Sequence, residues 1–107
     1  MNRGEVFRLK EPKRARGHEQ RGVRFAVVLQ ADELAPLSTV IVAPTSAAAP
    51  PRTFRPEVEV GGRRTRLLLE QIRAVDHSRL GALVGSLSRS DLEDVDIALR
   101  AVLGLNA

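Results

Sequence analysis

The sequence predicts a small, mainly β domain with one C-terminal helix: a half-open β-barrel with the helix laid over it. Three observations lead there. Short apolar runs of strand length recur between turn-forming residues, several of them alternating with period two. A single long amphipathic segment stands near the C-terminus. The chain has 107 residues and a mass of 11.7 kDa, enough for one hydrophobic core and too little for two, so residues 1–107 are read as a single domain.

The elements follow in chain order. Gly4 to Lys10 alternates, with Val6 and Arg8 on one face and Phe7 and Leu9 on the other, as a short strand does. Glu11 to Gly22 is a charged loop containing Pro12 and two glycines. Val23 to Gln30 is rich in Val and flanked by breakers, and so is expected as a buried strand. Asp32 to Leu37 allows a helical turn ended by Pro36. Thr39 to Ala43 is a second buried strand, expected to stop at Pro44.

Ser46 to Pro56, with its Ala-Ala-Ala-Pro-Pro run, is expected to be a mobile loop. Val58 and Val60 alternate with Glu57 and Glu59 as in a half-exposed strand. Gly61-Gly62 permits a tight hairpin into a strand over Arg66 to Ile72. Leu83 to Leu87 is one more short strand.

The helix is predicted from Ser88 to Leu103. Ser88 is a good N-cap, and Asp91 three residues later could reach back to the backbone. Asp91, Glu93 and Asp94 load the positive end of the helix dipole, and Gly104 supplies a stop. Leu92, Val95, Leu99, Val102 and Leu103 fall on one face, which makes this a core-packing helix.

Composition narrows the function classes. No Cys is present, so there is no disulfide framework and no thiolate metal site, which suits a cytoplasmic protein. The charged N-terminus does not resemble a signal peptide, and no apolar run is long enough for a membrane-spanning helix. The net charge is +4, concentrated locally: residues 8–24 hold seven Lys/Arg against two Glu, while the segment from Ser88 onward holds four acids against two Arg. A basic face beside an acidic helix fits a polyanion binder, although Arg-rich surfaces also occur simply as solvated ones. Only Phe7, Phe25 and Phe54 are aromatic, which counts against a general single-strand binder built on stacked rings.

The densest chemistry lies in Arg16-Gly17-His18-Glu19-Gln20-Arg21-Gly22-Val23-Arg24, which runs into the strand Phe25 to Leu29. Two glycines bracket titratable and cationic groups on a turn fixed to a rigid strand. No metal-ligand spacing or phosphate loop is present, so no cofactor or metal is expected and these groups must carry any reaction themselves. Acid/base and cationic groups of this kind can move protons and hold developing negative charge.

The segment resembles the loop between the first two strands of the MazF/PemK/Kid toxins, endoribonucleases of toxin–antitoxin pairs, in which a Gly-x-Glu-Gln turn leads to an Arg-Pro-Ala-Val-Val strand. Five blocks recur in the family's order: Arg3 to Phe7, Gly17 to Leu29, Val40 to Ser46, Glu70 to Arg73, and Gly85 to Ser88. The resemblance implies an SH3-like half-open barrel of the MazF/PemK/CcdB type and a homodimer. It also implies sequence-specific cleavage of single-stranded mRNA to a 2′,3′-cyclic phosphate and a 5′-hydroxyl, with restraint by an antitoxin whose acidic tail covers the groove. Two departures stand out: Phe25 replaces the usual Pro, and Phe7 replaces a favoured Trp.

By position, the resemblance makes Arg24 catalytic, its planar fork suiting phosphate oxygens, and makes Thr45 the stabiliser of the charged phosphorane. His18 matches a histidine of the Kid branch, and other branches carry Ser there; it either touches substrate or is an exposed loop histidine. Glu19 either orients Arg24 or acts as base, the alternative being an ion pair with Arg16 or Arg21. Gln20, Arg16, Ser46, Glu70 and Gln71 are candidate substrate-binding residues. The acid of the Glu70-Gln71 block is catalytic in the Kid branch together with an Arg two residues earlier, and here that position is Leu68. His77, between Asp76 and Ser78, is read as structural. Base identity is expected to be read by the Glu11 to Arg16 and Ser46 to Arg55 loops. Two rivals remain at this point: a CcdB-like toxin that binds DNA gyrase without catalysis, and a non-catalytic RNA-binding barrel.

Overall fold

The computed structural model describes residues 1–10 and 24–106. Seven strands precede one helix: β1 (Glu5–Leu9), β2 (Arg24–Val28), β3 (Thr39–Ser46), β4 (Glu57–Val60), β5 (Arg63–Leu67), β6 (Arg73–Asp76), β7 (Leu80–Ser86) and α1 (Arg89–Val102). The sheet runs β4-β5-β3-β2-β1-β7, all neighbours antiparallel, with β6 added to β3. The mainly β prediction with a terminal helix therefore holds. The charged loop expected over Glu11 to Gly22 lies outside the described residues, as does Val23, with which the second strand was expected to begin.

The apolar runs are continuous where both faces of the sheet are covered. In β2, Val27 faces a cluster that also holds Val6, Ala43, Val58, Leu67, Leu69 and Val95. Its neighbours Ala26 and Val28 face a second cluster with Leu9, Val40, Val42 and Val75. The first cluster lies under α1, whose Val95 is fully buried and whose Leu92, Leu99 and Val102 pack against it.

Strand β3 is the axis of the fold and corrects the expectation that Pro44 would end it. One edge of β3 pairs with β2 through Ala26↔Pro44, Val27↔Ala43 and Val28↔Val42. The other edge is shared: β6 takes Thr39 to Val42, then β5 takes Thr45 and Ser46. Pro44 sits at the handover. Its carbonyl accepts from Leu68 N at 2.9 Å, and its missing N–H falls where one partner strand has ended and the next has not begun.

The same handover explains a second correction. The leucine run Arg66 to Ile72 reads as one strand but divides: β5 ends at Leu67, Leu69 to Gln71 form a 3-10 turn, and β6 begins at Arg73. Leu69 remains fully buried in that turn, so its apolar character marks the core and not a strand. The last strand begins at Leu80, earlier than expected, and ends at Ser86.

Local signals at turns and caps perform as chemistry requires. Gly61 and Gly62 join β4 to β5 with φ of 59° and 81°, the double positive φ of a hairpin turn matched to strand twist. Ser88 caps α1, its side chain accepting from Asp91 N at 3.0 Å. Asp91 does not reach back to the cap; its Oδ2 accepts from Glu59 N at 2.9 Å and pins the helix to β4. Gly104 N donates to Ala101 O and Leu105 N to Arg100 O, the paired bonds of a Schellman stop. Leu103 lies beyond the packed face and is 48% exposed, contrary to its predicted place in the core.

The Ser46 to Pro56 segment, expected as a mobile loop, starts in β3 at Ser46 and bonds to the residues beside it. Arg55 bonds Glu70 and Pro50 O, and Arg66 Nη1 donates to Ala49 O at 3.2 Å. His77 opens a 3-10 turn capped by Asp76, whose Oδ1 accepts from Ser78 N at 2.8 Å, in keeping with its structural reading.

Candidate active site

The start of β2 and the end of β3 come together at one end of the sheet. Continuing the β2/β3 register by two positions sets Phe25 opposite Thr45 and Arg24 opposite Ser46. Arg24, Phe25, Thr45 and Ser46 line an open groove of about 490 Å³. Ala47 and Ala48 continue the β3 wall, and the β4–β5 hairpin closes the other side with Val60, Arg63, Arg64 and Thr65. Two strand ends and a glycine hairpin thus bring three arginines and three hydroxyl-bearing residues to one depression.

The electrostatics of this end are positive. Among the described residues neither Arg24 nor Arg63 makes an ion pair, whereas Arg64 Nη2 lies 3.1 Å from Glu57 Oε1. That bond raises the Arg64 guanidinium above its usual range, with the charges of Glu57, Asp91 and Glu59 adding to it. Arg73, paired across from Val42, is lowered first by burial, then by the like charges of Arg79 and Arg24. Arg24 is the smallest of these causes, and neither Arg73 nor Arg79 lines the groove.

The sequence-derived candidates separate into three groups. Arg24, Thr45 and Ser46 meet in the groove. Arg16, His18, Glu19 and Gln20 lie outside the described residues, just before Arg24 in the chain. Glu70 and Gln71 sit in the 3-10 turn after β5, away from the groove lining. Glu70 borders a different hollow with Thr53, Phe54, Ala101 and Val102, and Arg55 occupies its carboxylate. Arg55 bonding, the larger effect, holds the Glu70 carboxyl below its usual range against a smaller upward push from burial.

Sequence reasoning missed the hairpin side of the groove: Val60, Arg63, Arg64 and Thr65. The signal was present as two arginines directly after the Gly61-Gly62 turn, which puts them at the tip of a rigid hairpin. Among the described residues no three His, Asp or Glu side chains gather as a metal site would require, and no helix is long and apolar enough to cross a membrane.

Comparison with known proteins gives matches by family, by sequence and by fold. A family model described as PemK-like, MazF-like toxin of type II toxin–antitoxin system matches residues 2–103. A Mycobacterium tuberculosis protein named "Putative toxin Rv3098A" is 44% identical over 104 residues, 96% of this chain and 97% of that one. The structure described as an endoribonuclease in complex with its cognate antitoxin, from a mycobacterial species, superposes with a TM-score of 0.83 at 14% identity, over 100% of this chain and 98% of that one. A MazE-MazF structure from Deinococcus radiodurans gives a TM-score of 0.80 at 24% identity, over 99% of this chain and 97% of the other. At these identities the two superpositions establish the shared barrel fold.

Proposed function

The chain belongs to the PemK-like, MazF-like toxin family of type II toxin–antitoxin systems, and on that premise we propose that it is an endoribonuclease. The reaction is metal-independent cleavage of single-stranded mRNA at a short sequence motif. The 2′-hydroxyl attacks the adjacent phosphorus, the bond to the 5′-oxygen breaks, and the products carry a 2′,3′-cyclic phosphate and a 5′-hydroxyl. The observation that carries this reading is the convergence of Arg24 and Thr45 on one open, cation-rimmed groove.

In this mechanism Arg24 gives its fork of N–H donors to the non-bridging phosphate oxygens as charge accumulates on phosphorus. Thr45 donates its hydroxyl to the same oxygens, and Ser46 binds a neighbouring phosphate. Arg63 on the hairpin contributes a second cation to the strand's path. Glu19 and His18, beside Arg24 in the chain, supply the base and acid, with Arg16 and Gln20 contacting flanking nucleotides. Glu70 and Gln71 act at a distance, from the turn that braces the groove's loop wall.

Two partners complete the proposal: a second copy of the chain, and an antitoxin whose acidic tail lies in the same groove, as the positive rim favours. Incubation with long single-stranded RNA in EDTA, with product ends mapped, tests the activity. Cleavage at a recurrent motif leaving a cyclic phosphate is expected. Binding without cleavage would make this a non-catalytic RNA-binding barrel, and growth arrest without RNA cleavage would point to a gyrase-type target.

A further inference from the structure

The aromatic ring nearest the proposed chemistry is Phe25. It is half-buried, packed on one side against the cluster under α1, and it lines the groove directly beside Arg24. Val60 does the same from the hairpin: it packs against that cluster and lines the groove. Ala48, exposed in the loop just after β3, adds a third apolar surface. Phe25 and Val60 therefore give the groove apolar lining backed by core, and Arg24, Arg63 and Thr45 line the same groove with donors. A purely phosphate-binding groove has no use for such apolar lining, because apolar surface beside an anion forfeits hydration without giving donors in return.

A nucleobase with its flanking phosphates fits both halves. Its flat face matches a ring held rigid by the core, and its phosphates match the cationic rim. We infer that Phe25, with Val60 and Ala48, forms a seat for one unstacked base of single-stranded RNA next to the phosphate held by Arg24. The inference rests on the reading of this groove as an RNA site and adds to it where one base sits. It also gives this chain's departure from the family's Pro a physical role: a proline at the head of β2 would stiffen the backbone, whereas Phe25 contributes a stacking face.

The test uses uncleavable 2′-fluoro RNA, a short mixed-sequence oligonucleotide, beside a matching sugar-phosphate oligomer without bases. With the wild-type chain carrying labelled phenylalanine, RNA should shift the Phe25 ring resonances upfield and the base-free oligomer should not. Phe25→Leu should weaken binding of the RNA about tenfold, the scale of one base–aromatic stack, and leave binding of the base-free oligomer unchanged. Phe25→Tyr should keep RNA affinity within about threefold, and unchanged base-free binding by the Leu variant shows that its loss is not misfolding. Equal weakening toward both oligomers, or unmoved Phe25 resonances with RNA bound, would overturn the seat. Binding with the expected Phe25 shifts, but no cleavage of the all-ribo strand, would sink the nuclease reading and leave the seat standing.

Discussion

Arg55 grips a single oxygen of Glu70: Nε lies 2.9 Å and Nη2 2.7 Å from Oε2, while Nη1 donates to Pro50 O at 3.1 Å. The guanidinium also stands over the Phe54 ring, 5.4 Å from its centroid. One side chain thereby joins the loop after β3 to the 3-10 turn between β5 and β6. Both partners are partly exposed, so the pair adds no more than about 1 kcal/mol to global stability. Its consequence is local, since the braced loop begins with the Ala47-Ala48 wall of the groove.

That pair predicts a pH signature. Arg55 lowers the folded-state value of Glu70 below its unfolded value. The stabilisation is therefore complete above the ordinary carboxylate range and is lost as pH falls through the lowered folded value. In a carbon-detected titration the Glu70 carboxyl should titrate below the ordinary carboxylate range. Arg55→Ala should return Glu70 to the ordinary range; an unchanged titration would show that the pair does not persist in solution.

Arg24 is predicted to act in the transition state more than in binding. Arg24→Ala should lower the cleavage rate by about two to four orders of magnitude, the scale of one preorganised charge donor, with a much smaller change in RNA affinity. Arg24→Lys should rescue poorly, because an ammonium cannot present two parallel donors. Single-turnover cleavage beside binding to uncleavable RNA separates the two effects. Full activity in a folded Arg24→Ala protein would remove the residue from the mechanism.

Thr45 allows a sharper substitution, since Thr45→Val keeps its shape and removes only the hydroxyl. If that hydroxyl meets the charged phosphorane, the loss should be about ten- to a hundredfold in rate, equivalent to about 1.5–3 kcal/mol for a hydrogen bond to a charged group. Thr45→Ser should retain most of the activity. A Val variant as fast as wild type would reduce Thr45 to a shape-filling residue of the groove.

The parts of this molecule that were legible in sequence are those decided by a few adjacent residues. Gly61-Gly62 permitted a tight hairpin, and Ser88 with Gly104 bracketed the helix closely. What stayed hidden depends on partners distant in sequence. Pro44 passes through a strand because β6 and β5 change places beside it, and no local signal announces that exchange. Leu67 to Leu69 are all buried, and burial without periodicity does not distinguish strand from turn. In the candidate site, motif points to Arg24 and Thr45, whereas Arg63 and Val60 come from a hairpin that only tertiary folding brings alongside.

Asp91 illustrates the same point and carries a stability prediction. Its local reading was a capping partner, yet its Oδ2 accepts from Glu59 N across the fold. Asp91→Ala should therefore cost about 1.5 kcal/mol, through loss of a charge-assisted bond to an exposed edge amide of β4. Ser88→Ala should cost about 1 kcal/mol, through the lost cap alone. Urea unfolding should show the larger effect for Asp91, with hydrogen exchange accelerating at Glu59 in that variant only. Equal exchange at Glu59 in both variants would mean that the pin does not persist in solution.

The groove's positive rim makes a final prediction about neutralisation. If the acidic tail of an antitoxin occupies the groove, its carboxylates compete with RNA phosphates for Arg24 and Arg63. Association should then be salt-sensitive, because exposed charges are screened within about 8 Å at physiological ionic strength. Arg63→Ala should weaken antitoxin binding at low salt, mainly through slower association, and the difference from wild type should shrink as salt rises. Arg89→Ala, on the first turn of α1 outside the groove lining, serves as the control that changes net charge by the same amount. Identical salt dependence for the two variants would assign the effect to overall charge; a steeper loss for Arg63→Ala would assign it to the groove that the proposed substrate also uses.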